Sequence, residues 1–226
     1  MNYAIDRRQL VELGGGPAFR QPSCQVIPPT VPGYRRYCPY TLDPRPTGEW
    51  TAPDVAKAQQ LIAASGTKGQ KVIVWTWPDF GKEGRYAVSL LRRLGYRAQL
   101  KALKDIDVYF RTIFDPKTRP QSGIMGWFGT QYGSGVIDTL RCGYSGNPAR
   151  FCDRRIDTEA ARSLKVFATD PETAARMWAR LDRRLVDQAP WVPLFNPRSP
   201  LLASKRVDNW QYHPYMDVLL DQLWVR

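Results

Sequence analysis

The sequence predicts an α/β fold, on three observations. "KVIVWTW", a helix-periodic stretch from 82 to 94, and "YRAQLKAL" read together as strand, helix and strand, a βαβ unit with a right-handed crossover. "GIMGWF" reads as a third strand beyond it. Two amphipathic helices follow, the second opened by Asp170-Pro171, a good N-cap and first-turn pair. The 226 residues, 43% of them hydrophobic, can bury a real core and suit one or two domains.

The remaining elements follow from punctuation and periodicity. Asn2 to Leu13 reads as a helix stopped by Gly14-Gly15-Gly16 and Pro17. Residues 17–50 form a long loop rich in Pro and Tyr, a length that is usually functional or pinned. In "TAPDVAKAQQLIAASG", Thr51 or its neighbour caps a helix and Pro53 occupies the first turn. Val55, Ala58, Leu61 and Ile62 share one face, and Gly66 ends it. The crossover helix buries Ala87, Leu90, Leu91 and Leu94, with Gly95 as its stop. A helix over about Ile156 to Phe167 precedes the last one, which buries Ala174, Trp178, Leu181 and Leu185. From Pro190 the texture turns strand-like, aromatic and proline-broken, with too few polar breaks to stand free in water. This tail is expected to complete a sheet, in this domain or in another.

Charge and chemistry narrow the function. No fixed-period repeat is visible, and no apolar run approaches the ~18 residues needed to span a bilayer. The net charge of +12 comes largely from arginine. It fits either a nucleic-acid footprint or a solvated surface that favours anionic neighbours such as lipid headgroups. Scattered arginine pairs (Arg7-Arg8, Arg35-Arg36, Arg92-Arg93, Arg154-Arg155, Arg183-Arg184), without a helix-turn-helix, zinc-finger or RNA-binding signature, favour the second. Enzyme chemistry finds little support. His213 is the single histidine, no phosphate-binding loop is present, and the triple glycine follows a helix rather than a strand. Asp105 and Asp107 read as surface acids. No catalytic residue, metal or cofactor is expected.

Four cysteines form two local couples. Cys24 and Cys38 flank "CQVIPPTVPGYRRYC", and Cys142 and Cys152 flank "CGYSGNPARFC". Neither is a CxxC, and one histidine gives zinc little to bind. Two disulfides are expected, each contributing roughly 3 kcal/mol in the chain-entropy model. They imply an oxidising compartment, the alternative being four reduced thiols in the cytosol. Yet Met1 runs straight into "NYAIDRRQLVELGGG", an amphipathic helix and not an export signal. The chain is therefore expected to be part of a longer, exported one.

"SGIMGWFGTQYGSG", Ser122 to Gly135, carries five glycines, three aromatics and no charge. It reads as a buried strand with a loose exit or as the wall of a ligand pocket. Trp75 and Trp77 end the first strand, and Trp127 and Phe128 end the third. Ligands of open α/β sheets bind outside the carboxyl ends of parallel strands, which puts both aromatic groups beside one crevice. The competing reading sends alternate residues such as Trp75 into the core.

The segments "NYAIDRRQLV", "PSCQVIPPTVPGYRRYCPYT", "PDVAKAQQLIAASG", "GWFGTQYGSGVID", "NPARFCD" and "DQAPWVPLFNPR", with the final "LLDQLWVR", resemble the C-terminal part of family 5 extracellular solute-binding proteins. These are the oligopeptide-, dipeptide- and nickel-type receptors of ABC importers. The resemblance implies one lobe of a two-lobe periplasmic-binding-protein-like (type II, cluster C) fold with a mixed sheet and flanking helices. Residues 1–189 would be the second lobe, and residues 190–226 the return into a first lobe lying upstream. It further implies a peptide-like or other small solute, permease subunits as partners, and a periplasmic or membrane-anchored location. The ligand would meet Trp127, Phe128, Gly129, Thr130, Gln131, Tyr132 and Trp77. In such receptors the Gly-Trp strand end is commonly followed by an Asp that pairs with a peptide's amino terminus. Thr130-Gln131 stand where that acid is expected, so a free α-amino group is not expected to be held in the usual way. A cytosolic nucleic-acid-binding protein and a truncated receptor fragment remain the alternatives.

Overall fold

The computed structural model describes residues 1–118, 120–126, 132–213 and 217–226. In chain order its elements begin with α1 (Arg7–Leu13), β1 (Arg20–Pro22), α2 (Val55–Ser65) and β2 (Lys71–Thr76). Then come α3 (Gly81–Arg93), β3 (Arg97–Ala102), α4 (Ile106–Phe114), β4 (Ser122–Gly123) and α5 (Gly133–Ile137). The long helices α6 (Arg154–Phe167) and α7 (Pro171–Gln188) follow. The chain closes with β5 (Phe195–Pro197), β6 (Val207–Asp208), β7 (Tyr212–His213), β8 (Asp217–Val218) and β9 (Trp224–Val225).

The centre is a parallel sheet in the order β3-β2-β4. β2 and β3 run in register from Lys71 opposite Arg97 to Thr76 opposite Ala102, joined through α3 as the sequence predicts. Val88 and Leu91 of α3 pack on Val74 of β2 and Ala98 of β3, so the period-3.6 face of the helix meets the period-2 face of the sheet. The third strand begins one residue earlier than expected, and its expected end, Trp127 and Phe128, lies outside the described residues. Among the described residues, Ser122 and Gly123 pair with Val74 and Trp75, and one more bond runs from the Ile124 amide to the Trp75 carbonyl.

Several boundaries move for reasons of capping. α1 starts at Arg7, because the Asp6 carboxylate accepts from the Gln9 amide, while residues 1–5 form a turn closed on the Met1 carbonyl. α2 is capped by Asp54, not Thr51, which leaves Pro53 outside the helix. Of its expected apolar face, Ala58 and Ile62 pack inward, while Val55 and Leu61 are exposed. Helix α4 was not expected at all. Asp105 is its N-cap, accepting from the Val108 amide, so the acid read as a surface group starts an element. α7 matches expectation closely: Asp170 caps it, and Ala174, Trp178, Leu181 and Leu185 are all fully buried. They pack with Ile137, Leu140, Ile156 and Ala160 into the helical half of the core.

Both cysteine couples form disulfides, Cys24 with Cys38 and Cys142 with Cys152. The first pins the long loop, which is also held by Asp182 of α7. That carboxylate accepts from the Val26 and Ile27 amides and from Gln25 Nε2. Burial pushes its carboxyl above the usual carboxylate range, against the opposing pull of those three donors.

The segment after α7 first packs back on the body. β5 pairs antiparallel with β1, and Val192, Leu194 and Phe195 join a cluster with Leu10 of α1 and Leu90 of α3. Arg7, wholly buried, seals this junction. Its guanidinium donates to the carbonyls of Ser23, Pro193 and Asn2 and to Asn2 Oδ1, and burial lowers its pKa to about 10. Beyond Pro197 the chain forms two small antiparallel ladders, β6 with β9 and β7 with β8. Leu201, Leu202, Trp210, Leu220, Trp224 and Val225 stand exposed there. Among the described residues, no helix is long and apolar enough to cross a membrane.

Candidate functional site

The candidate site lies at the carboxyl ends of β2 and β4. Of the residues expected to meet a ligand, Trp127, Phe128, Gly129, Thr130 and Gln131 lie outside the described residues. Trp77 and Tyr132 are described, as are the anchors on either side of the stretch.

Trp77 follows β2 directly and leads through a short 3-10 turn, Pro78–Phe80, into α3. Thr76 Oγ1 closes that turn by donating to the Phe80 carbonyl at 3.0 Å. The Trp77 ring is only 3% exposed, packed 4.6 Å from the Tyr109 ring, 4.7 Å from Phe80 and 5.8 Å from Phe110. The structure thus places Trp77 in an aromatic cluster beneath the strand ends, not on an open face. Its indole nitrogen is buried without a hydrogen-bond partner among the described residues. Trp75, which only the competing reading sent into the core, is buried and carries the Lys101 ammonium 4.0 Å over its ring.

Two glycines of the uncharged stretch have reasons unconnected with a guest. A Cβ on Gly123 would lie 2.5 Å from the Tyr109 hydroxyl oxygen. That hydroxyl donates to the Ile124 carbonyl at 2.6 Å, so α4 fixes where β4 ends and the stretch begins. Burial pushes the Tyr109 phenol well up. At the other end, a Cβ on Gly133 would lie 2.5 Å from Trp178 Cγ. Trp178 is fully buried and itself fixed, its indole N–H donating to Ser163 Oγ at 2.8 Å. Buried aromatics of α4 and α7 therefore hold both ends of the segment that carries the candidate ligand residues.

Tyr132 is the last of those residues. Its backbone is extended, its side chain is 42% exposed, and its ring meets the edge of Phe167 at 5.0 Å. Beyond α5 the first carboxylate is Asp138, half-buried, with its carboxyl raised by desolvation against the opposing effect of Arg141. Nearer the sheet, Glu83 in the first turn of α3 pairs with Arg20 of β1 at 2.5 Å. The Arg20 guanidinium also lies 4.0 Å over the Phe195 ring, joining α3, β1 and β5. One oxygen of the buried Glu83 has no hydrogen-bond partner among the described residues. Among the described residues, no group of His, Cys, Asp or Glu is arranged to hold a metal.

Sequence reasoning missed Tyr109, Arg20 and Glu83. For Tyr109 a signal existed: "DIDVYFRTIF" has an acid cap, and Tyr109 and Ile113 stand four apart. Nothing local marks Arg20 and Glu83, which meet only because β1 and α3 pack.

A parallel βαβ core with helices around it makes an α/β lobe, and solved structures show it to have the fold of periplasmic-binding-protein lobes. The comparisons agree. The chain is 23% identical over 229 aligned positions to the glutathione-binding protein GsiB of Salmonella typhimurium, covering 95% of this chain and 41% of that one. Among solved structures it is similar to clavulanic acid biosynthesis oligopeptide binding protein 2, with a TM-score of 0.80 and 23% identity, over 99% of this chain and 42% of that one. It is similar too to the periplasmic binding protein DppA of Helicobacter pylori, with a TM-score of 0.78 and 16% identity, over 99% and 42%. The chain thus resembles the peptide-type, family 5 solute-binding proteins along nearly its whole length, consistent with a C-terminal portion of them. It spans about two fifths of the length of the curated relatives it matches. No protein-family model matches the chain.

Proposed function

We propose that this chain is part of the substrate-binding component of an ABC importer, a receptor outside the cytoplasm that captures a peptide-like or other small solute between two lobes. Residues 1–189 form most of the second lobe, and residues 190–226 return toward the first. Hinge closure then delivers the solute to membrane permease subunits. The observation that carries this reading is the match to a glutathione-binding relative over 95% of the chain, joined to the 0.80 likeness to an oligopeptide-binding protein. The exposed apolar tail beyond Pro197 supports it, since residues such as Leu202 and Trp224 suit cover by another lobe. Since β5 packs into the second lobe, the uncovered part of the return begins after it.

The residues assign the roles. Trp127 and Phe128 give apolar and stacking contact, Gly129 allows backbone approach, and Thr130, Gln131 and Tyr132 offer neutral hydrogen bonds. Trp77, buried against Tyr109 and Phe80, takes no direct ligand contact in this reading. An ammonium buried without a carboxylate is costly, so neutral, anionic or differently placed ligands are preferred to free peptide amino termini. Isothermal titration of the full-length receptor tests both levels. Binding of a small solute, tolerant of N-acetylation, is expected. Tight binding of free peptides that acetylation abolishes overturns the ligand preference, and no binding across peptides, glutathione and acetylated forms overturns the receptor reading.

A further inference from the structure

The positive charge of this protein is concentrated in one supersecondary unit. Residues 66–104, covering β2, α3 and β3, hold nine Lys and Arg against two Asp and Glu, a surplus of seven within a total of +12. One of those two acids, Glu83, is buried and already bonded to Arg20. The surplus is therefore nearly uncompensated at the surface. Pairwise reading of the arginines does not bring this out. The folded βαβ unit does.

Within it, Arg85, Ser89, Arg92 and Arg93 stand on the exposed side of α3, around a concavity of about 450 Å³ floored by Val88 and Leu100. The ion pairs of the described residues use other arginines, namely Arg20, Arg36, Arg176, Arg180, Arg184 and Arg226. Arg92 is preset: its Nε donates to the Ala98 carbonyl of the edge strand β3 at 2.9 Å, leaving both terminal nitrogens for an anion. Helix-dipole compensation and protection of a sheet edge account for Arg92 and Arg93 in the last turn of α3. They do not account for Arg85, two turns earlier, nor for the hollow that the three guanidinium groups surround.

We infer that this face of the βαβ unit docks on an anionic phospholipid surface, with Arg85, Arg92 and Arg93 taking headgroup phosphates. Nucleic acid fits less well, because the unit offers no free aromatic platform for bases. Trp75 is covered by Lys101, and the Tyr96 hydroxyl is hydrogen-bonded to Thr67. The choice of a membrane as partner rests on the receptor reading above, since a receptor serving a permease works beside a bilayer.

The test is co-sedimentation of the protein with phosphatidylcholine vesicles, with and without phosphatidylglycerol, at low and high salt. Binding only to the anionic vesicles, and weakened by salt, is expected. Each basic residue near such a surface contributes about fivefold, so Arg85→Gln/Arg92→Gln/Arg93→Gln together should weaken binding about 100-fold. A charge-matched control, Arg176→Gln/Arg180→Gln/Arg184→Gln on α7, should stay within a few-fold. Circular dichroism of both triple variants shows whether each remains folded, and a charge reversal at Arg85 alone serves if the α3 triple variant does not. Equal loss in both triple variants overturns the site in favour of net charge. Absence of vesicle binding, displacement by millimolar inorganic phosphate, or preferred binding of duplex DNA that the α3 variant loses each overturns the membrane assignment. Solute titration of the same variants keeps the two proposals apart: vesicle binding without any solute defeats the receptor reading alone, and solute binding without vesicles defeats this one alone.

Discussion

Adding a single methyl group at Gly133 is the sharpest probe of how the candidate ligand segment is anchored. In Gly133→Ala the new Cβ would lie 2.5 Å from Trp178 Cγ and 2.7 Å from its Cβ and Cδ2. Carbon atoms prefer roughly 3.5–4.0 Å, so either α5 or the indole must move by about 1 Å. Trp178 has little room, being fully buried among Ala174, Leu181 and Leu185 and bonded to Ser163. Overpacking of this kind costs about 1–3 kcal/mol, and disturbing the indole hydrogen bond adds about 1 kcal/mol. Against this, alanine in a helix gains about 0.5–1 kcal/mol over glycine. The expected net loss is about 2 kcal/mol, read from urea unfolding midpoints at constant m-value. Trp178→Ala removes Cγ and Cδ2, two of the three crowded atoms, at a large cost of its own, so the double variant should lose less than the two single losses summed. A Gly133→Ala loss below about 0.5 kcal/mol, or strict additivity with Trp178→Ala, would show that the contact does not constrain the segment.

The remaining predictions concern charge and covalent pinning. Asp182 has a folded pKa above its unfolded value, so the folded state holds the proton more tightly, and its stabilising share falls as pH rises from the ordinary carboxylate range through the raised value. The cost of Asp182→Asn should therefore be larger at acidic than at neutral pH, measured as the difference from the unmodified protein; a cost that is flat or rises with pH contradicts it. Thiol counting on the denatured, unreduced protein should give zero. Cys142→Ser/Cys152→Ser should cost about 3 kcal/mol in unfolding free energy, and no measurable loss would mean that the bridge does not constrain the chain.

What the sequence showed was set by local chemistry. The α7 face could be read because Asp170, Pro171 and four apolar residues at helical spacing all lie within one element. The βαβ unit was equally legible, since its strands and stops are each marked by neighbouring residues. α4 escaped notice because its acids were weighed as charges rather than as a cap. Gly123 and Gly133 were weighed only as part of a glycine-rich stretch, strand exit or pocket wall, whereas their reason is Tyr109 and Trp178, residues 14 and 45 positions away in sequence. Such a contact leaves no periodic trace. The same holds for the crowding of charge on the βαβ surface: arginine pairs look dispersed along the chain until α3 and β3 are laid side by side.

The burial of Arg7 bears on the order of assembly. Its acceptors come from residues 2, 23 and 193, so the cation's environment is incomplete until the chain has been made through Pro193, 186 residues later. Until Pro193 arrives, the groove between α1 and β1 must keep water around a charge that the finished protein leaves dry. The segment leading into β5 thus works as a plug, and α1 can settle only after α7 has been laid down and passed.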